Sequence, residues 1–280
     1  MKRTGLFPKA AALLSSLALV SIAQSTFGAA VPVDPKTTLT ATMDGGTAKT
    51  GNSWYEVGVN SAATTTGLKT GLVFGQTDPL STYLIQPAAG KNALMLDNST
   101  KNGTITFVRP LSVTALSLAG ASGNGRGTNV LTLHFTDGTT DTLPALTVGD
   151  WFNVEPRVQT TRGRIDVGAN TFNNVNADNP RLLAVNATLS AADATKTISS
   201  VDFSWTGSGT TTHTAIFGVS GDVAGLGHFS AIPLATSSFN QDMVVGASEI
   251  IPVVPEPSTL VLSGLGAVSL LAFLRGKRAK

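Results

Sequence analysis

The chain reads as an all-β protein. A jelly-roll-type antiparallel β-sandwich is flanked by an N-terminal signal-peptide helix and one C-terminal transmembrane helix. Three observations predict this. Between residues 31 and 250, short runs alternate polar and apolar residues and no 3.6-residue apolar face emerges. Glycines number 29 in 280 residues and charged residues are only 13%, a composition suited to many strands joined by tight turns. Both ends carry an apolar, uncharged stretch bounded by basic residues.

Residues 1–30 have the order of a secretory signal peptide. Lys2, Arg3 and Lys9 form the positive start, Ala10–Ala23 is the apolar run, and Gly28-Ala29-Ala30 supplies small residues for cleavage. Residues 31–229 form the exported sandwich, with Val31–Lys49 read as a frayed lead-in strand. Alternation places one face on a core and the other in water. It occurs in Thr104–Val108, Val113–Leu118, Val130–Phe135, Leu182–Leu189, Ile198–Trp205 and Ala215–Val219. Asp137-Gly138 marks a hairpin turn after the third of these. The glycine-rich Gly120–Gly127 is read as a loop between strands, because it lacks the Lys-Ser/Thr ending and the following helix of a phosphate loop. Residues 230–253 are read as a linker to the membrane.

The last segment, 254–280, divides into three parts. Val254-Pro255-Glu256-Pro257 is an extended stub, since proline cannot continue a helix and pushes its predecessor out of helical conformation. Residues 258–274 carry no charge; as a helix they reach about 25 Å, the short end of what crosses a bilayer core. Arg275, Lys277, Arg278 and Lys280 follow and act as a basic stop. Positive residues stay inside, so the C-terminus is expected in the cytoplasm and the main domain outside.

This order of motif, span and basic cluster resembles the PEP-CTERM sorting signal of Gram-negative bacteria. The resemblance implies processing by an exosortase, a membrane-embedded cysteine peptidase, at or near the motif, with Glu256 as a recognition residue. It also implies a setting of exopolysaccharide and biofilm production. The expected partners are therefore the secretion translocon, the inner membrane in passing, the exosortase, and exopolysaccharide. The expected route is an inner-membrane intermediate, then the cell surface or extracellular matrix.

A second resemblance lies in the middle of the chain. Asn92–Leu96, Leu116–Gly125, Phe135–Thr139, Gly149–Phe152, Asn179-Pro180-Arg181 and Ile216–Gly221 are similar to the galactose-binding-like jelly rolls of bacterial secreted proteins, themselves related in shape to carbohydrate-binding modules. This implies the fold; a ligand does not follow from a fold.

The formal charge of +2 misleads. Three basic residues lie in the signal peptide and four in the tail, so 19 − 7 leaves 12 Lys+Arg; removing Glu256 leaves 17 − 1 = 16 Asp+Glu. The exported part is net −4, with no basic patch for nucleic acid. Its densest cluster, Arg157, Arg162 and Arg164, is read as a solvated loop edge. The chain has no cysteine and only three histidines, His134, His213 and His228. A zinc site of common type is therefore not expected and a cysteine nucleophile is impossible; Asp137 and Asp141 miss EF-hand spacing, and a calcium ion held by loop oxygens stays an open alternative. No cofactor, metal or catalytic residue is assigned.

Aromatic residues suit sugars, because a flat apolar ring meets the pyranose face while polar neighbours take its hydroxyls. Trp54, Tyr55, Trp151 and Phe152 are the candidates, with Asn124 and Arg126 on the glycine-rich loop. The reading is a non-enzymatic, exopolysaccharide-associated matrix protein. Two other classes fit the same residues: a structural or adhesive protein without a small ligand, and a carbohydrate-active hydrolase using Asp150 and Glu155.

Overall fold

In β7 (Gly127–Phe135) every second residue is buried, so one face of the strand is dry and the other meets water. The same period runs through β14 (Ile198–Trp205) and β5 (Asn102–Leu111). These pair antiparallel in the order β5-β14-β7-β8, with β8 at Thr140–Thr142 and β9 (Leu146–Val148) also on β7. The computed structural model describes residues 39–44, 51–59, 66–169, 171–173 and 178–246. The signal peptide, the sorting motif, the expected span at 258–274 and the basic tail lie outside the described residues. Among the described residues no helix is long and apolar enough to cross a membrane.

A second antiparallel sheet faces the first. Its order is β10-β13-β6-β15-β16, from β10 (Arg157–Thr160), β13 (Arg181–Thr188), β6 (Ala115–Gly123), β15 (His213–Asp222) and β16 (Ser230–Ala231). β4 (Leu94–Leu96) pairs with β15 beside β16. Leu116 and Leu118 of β6, and Ile216 and Val219 of β15, meet Ile105, Leu131, Leu133, Phe203 and Trp205 of the facing sheet in one core. The hairpin expected at Asp137-Gly138 is present. Gly138 takes a φ of 84° and the Asp137 carboxylate accepts the Thr139 amide at 2.9 Å.

The second sheet departs from the sequence reading. β6 and β15 are buried along nearly their whole length, on both faces. Apart from Phe217, their non-sandwich residues are small: Ala119, Ala121, Ala215, and Ser117, whose hydroxyl lies 2.9 Å from the Tyr83 hydroxyl. Of these, Ser117 is the one that the alternation of Val113–Leu118 places in water. A third layer covers them instead, built from the hairpin β2 (Gly71–Phe74) and β3 (Thr82–Ile85), from β1 (Asn52–Tyr55), and from the loop carrying Trp151. β1 belongs to a small sheet, β12-β11-β1-β17, with β11 at Arg164–Asp166, β12 at Thr171–Asn173 and β17 at Val244–Val245.

The Gly120–Gly127 stretch is also corrected. Gly120 and Gly123 lie within β6 and Gly127 opens β7, leaving only Asn124–Arg126 as the turn. Gly123 is required by close approach, because a Cβ there would run into the Met43 carbonyl.

The expected linker at 230–253 is folded chain as far as Gly246. Ile232, Leu234, Phe239, Met243, Val244 and Val245 are buried, and β17 runs parallel to β1. At the other end, Leu39, Ala41 and Met43 are buried rather than frayed. The Ala41 amide donates to the Asp242 carbonyl at 3.2 Å, so the first and last described segments hold each other.

Several carboxylates tie loops to this frame. Burial alone would raise the Asp222 carboxyl, but the amides of Gly227, Leu226, Gly225 and Ala224 outweigh it and hold it below its ordinary value. Asp97 is lowered in the same way: burial is outweighed by the Ser99 hydroxyl and the Thr100 and Ser99 amides. A depressed folded pKa gives stability that is complete above the unfolded value, about 3.9, and lost as pH falls through the folded value. The melting temperature is expected to be flat from neutral pH to about 5 and to fall below about 4. Thermal melts across pH 2–7 check this, and Asp222→Asn should flatten the acid limb.

Candidate functional site

Three of the four aromatic candidates are core. Trp54 is 0% exposed and Trp151 is 1% exposed. Their rings meet edge to face at 5.3 Å, and Trp54 meets Phe217 of β15 in the same way at 6.1 Å. The reason is spatial. Ala119, Ala121 and Ala215 leave a shallow surface on the central sheet, and two indoles fill the space above it. Tyr55, on the other side of β1, is buried against Phe172 at 5.1 Å, and its hydroxyl donates to the Arg162 carbonyl at 2.5 Å. Burial raises its pKa. None of the three presents a face to a sugar.

Phe152 is half-buried. It packs on Trp151 at 5.6 Å, and the Arg164 guanidinium lies 5.4 Å from its ring centre. Arg164 also pairs with Asp44 at 2.7 Å. It is a partly buried brace between the lead-in segment and the Trp151 loop, not the solvated edge expected. Such a cation over aromatic faces is attracted by the ring quadrupole.

Asn124 and Arg126 are exposed in the β6–β7 turn. Asn124 adopts φ 54° and its amide donates to the Thr211 carbonyl at 3.0 Å. Thr212 Oγ1 donates to the Asn124 carbonyl at 2.8 Å. Its polar groups thus serve the turn. Asp150 does similar work, accepting the Gly125 amide at 2.9 Å and the Phe152 amide at 3.0 Å. Glu155 is taken up by Arg157 at 3.1 Å and Arg181 at 3.0 Å. The two carboxylates considered for hydrolysis therefore organise loops, and neither lines the clefts described next.

Two clefts flank the β2–β3 hairpin. The smaller, about 250 Å³, holds Asp78, His228, Tyr83, Asn186 and Arg157. His228 Nδ1 lies 3.1 Å from the Asp78 carboxylate. The Ser81 hydroxyl donates to the same carboxylate, which is held below its ordinary value although burial pushes it up.

The larger cleft, about 620 Å³, lies between β2 and the end of β10. Glu56, Lys69, Thr70, Gln76, Gln159 and Thr160 supply its polar wall, and Leu72, Val73 and Phe74 its apolar one. Thr70 Oγ1 donates to Glu56 at 2.7 Å, and Thr160 Oγ1 donates to Gln76 Oε1 at 2.8 Å. This volume is in the range of small-ligand sites. Phe74 is the exposed aromatic that the sequence reading missed. The signal was present: Leu72, Phe74 and Gln76 recur at period two, but Phe74 lacks the indole that drew attention to Trp54 and Trp151.

One family comparison gives a match. The PEP-CTERM protein-sorting motif aligns with residues 253–278. No curated protein matches the chain. The motif supports an exported protein that is held at the membrane and processed by an exosortase. Its residues include the sequence-predicted Val254, Pro255, Glu256 and Pro257, and the basic Arg275, Lys277 and Arg278.

Replacing Trp151 with Ala is expected to cost about 3–5 kcal/mol, the range for emptying a buried indole site. Arg126→Ala at the exposed turn should change stability by less than about 0.5 kcal/mol. Chemical denaturation measures both. Acrylamide quenching should leave most tryptophan emission untouched; strong quenching would contradict the burial of Trp54 and Trp151.

Proposed function

We propose that this chain is a non-enzymatic matrix protein whose exported β domain associates with exopolysaccharide after an exosortase releases it from the inner membrane. The sorting motif at 253–278 is the observation that carries the reading: it supports export and exosortase processing, and the association with polysaccharide is the further step proposed from the usual setting of such signals. Residues 258–274 span the membrane with the basic Arg275–Lys280 end in the cytoplasm, and the signal peptide at 1–30 starts export. The domain then resides at the cell surface or in the matrix.

The strand order supports a jelly roll of the galactose-binding-like kind. β4-β15-β6-β13 lies over β5-β14-β7-β8, and successive strands from β4 to β7 alternate between the sheets. That arrangement is the double-sheet Greek-key pattern. The excess of acidic residues in the exported part and the absence of a basic stripe favour a partner other than nucleic acid.

Mass spectrometry of the mature protein from its host is expected to find a C-terminus within residues 254–258. An intact Lys280 on fully exported protein would overturn processing by cleavage. Pro255→Ala with Pro257→Ala should leave uncut chain in the membrane fraction. Mature protein should co-sediment with the host's purified polysaccharide, and free protein at every polysaccharide concentration would sink the association.

A further inference from the structure

The β2 wall of the larger cleft carries polar and apolar groups that the fold does not use. In the β2–β3 hairpin the Gly75 amide donates to the Ser81 carbonyl at 2.9 Å, and the register pairs Val73 with Tyr83 and Gly71 with Ile85. Antiparallel pairing alternates, so Gly71, Val73 and Gly75 turn their backbone groups to the partner strand. Leu72 and Phe74 turn theirs outward, towards the cleft. No described backbone or side-chain group bonds to them there. The side chains of Leu72, Phe74 and Gln76 share one face of the strand. Leu72 is 61% exposed and Phe74 is 64% exposed.

This free edge is short and closed at both ends. At one end the Gln76 amide donates to the Val158 carbonyl at 3.0 Å and the Thr77 amide to Arg157 at 3.1 Å. At the other, the Gln159 side chain satisfies both backbone groups of Lys69, at 2.8 and 2.9 Å. The opening is therefore a window, not an open groove. A peptide that adds a strand needs a continuous edge, and a through-running chain here would have to break one closure. A ring-sized ligand or a chain end would not.

The chemistry of the walls narrows the ligand. Phe74 offers a flat apolar face. Thr160 engages Gln76 Oε1, which orients the amide and leaves its N–H groups for a ligand. The outward N–H and C=O groups of Leu72 and Phe74 are rigid donors and acceptors. Glu56 and Lys69 contribute one charge of each sign, so the window selects neither an acidic nor a basic sugar.

We infer that this window is a glycan subsite that takes one neutral hexose unit, its apolar face on Phe74 and its hydroxyls on Gln76 and the free edge of β2. The inference rests on the reading that the domain binds polysaccharide, and assigns that binding a place.

The test is affinity electrophoresis of the full chain, purified in detergent, through the host's own polysaccharide. Glucose and mannose hexasaccharides and an extended peptide of alternating Val and Thr serve as competitors. Phe74→Ala and Gln76→Ala are each expected to weaken retardation about tenfold, and Phe74→Trp to restore it. Both positions are exposed, so unchanged thermal melts are expected, and Gln76→Ala stands alone if Phe74→Ala misfolds. Retardation that neither variant changes would overturn the window and leave the polysaccharide reading standing. Competition by the peptide and by neither sugar would also overturn it, reassigning the edge to strand addition. A wild-type chain that no polysaccharide retards would overturn the reading and the window together.

Discussion

The central sheet has to be dry on both sides, and the rest of the molecule is arranged around that requirement. β6 and β15 lie in the middle of it, and leucine and isoleucine on one face seal the sandwich. The opposite face is mostly alanine, serine and glycine, with Phe217 its one large side chain, and cannot bury itself. Its hydroxyls have partners within the protein: Ser117 with Tyr83, Ser122 with Thr214 at 2.9 Å, and Ser220 with the Thr82 carbonyl at 2.7 Å. A buried hydroxyl without a partner carries a desolvation cost, so these contacts fix where the covering hairpin and indoles sit. Where the cover ends, at the outer edge of β2, the larger cleft begins.

Side-chain amides complete this covering layer where strands do not reach. Gln159 bonds to both backbone groups of Lys69, and Asn240 does the same for Met95, at 2.8 and 2.9 Å. Asn92 accepts the Met243 amide at 2.9 Å. Each amide supplies one donor and one acceptor in the plane that a neighbouring strand would use. They let a layer made from distant pieces of chain satisfy its backbone without forming a continuous sheet.

The facing sheet was legible in the sequence because period-two alternation reports one wet and one dry face. β7 and β14 fall where that pattern places them, and the Asp137-Gly138 turn follows from local chemistry. The third layer was not legible. Ser117 in a strand looks like a solvent-facing residue, and only a partner as distant in sequence as Tyr83 makes it an interior one. The same gap misplaced Trp54 and Trp151: an indole beside a polar residue on one side and an aromatic one on the other has the same sequence signature whether it roofs a core or meets a ligand. The 230–253 segment looked like a linker because its strands are only two residues long, yet tertiary pairing with β1 and β15 gives them their place.

The position of β17 also sets the length of a leash. Val244 and Val245 are locked beside Trp54 and Tyr55, and the sorting motif opens at Val254. Even fully extended, the chain from Gly246 to Val254 reaches no more than about 29 Å. A folded domain on so short a tether sits within roughly its own radius of the bilayer when the peptidase acts. On the proposed processing by cleavage, an exosortase would reach its motif close beneath the folded domain. A cut within the motif would therefore separate the anchor from the domain close to its last described strand.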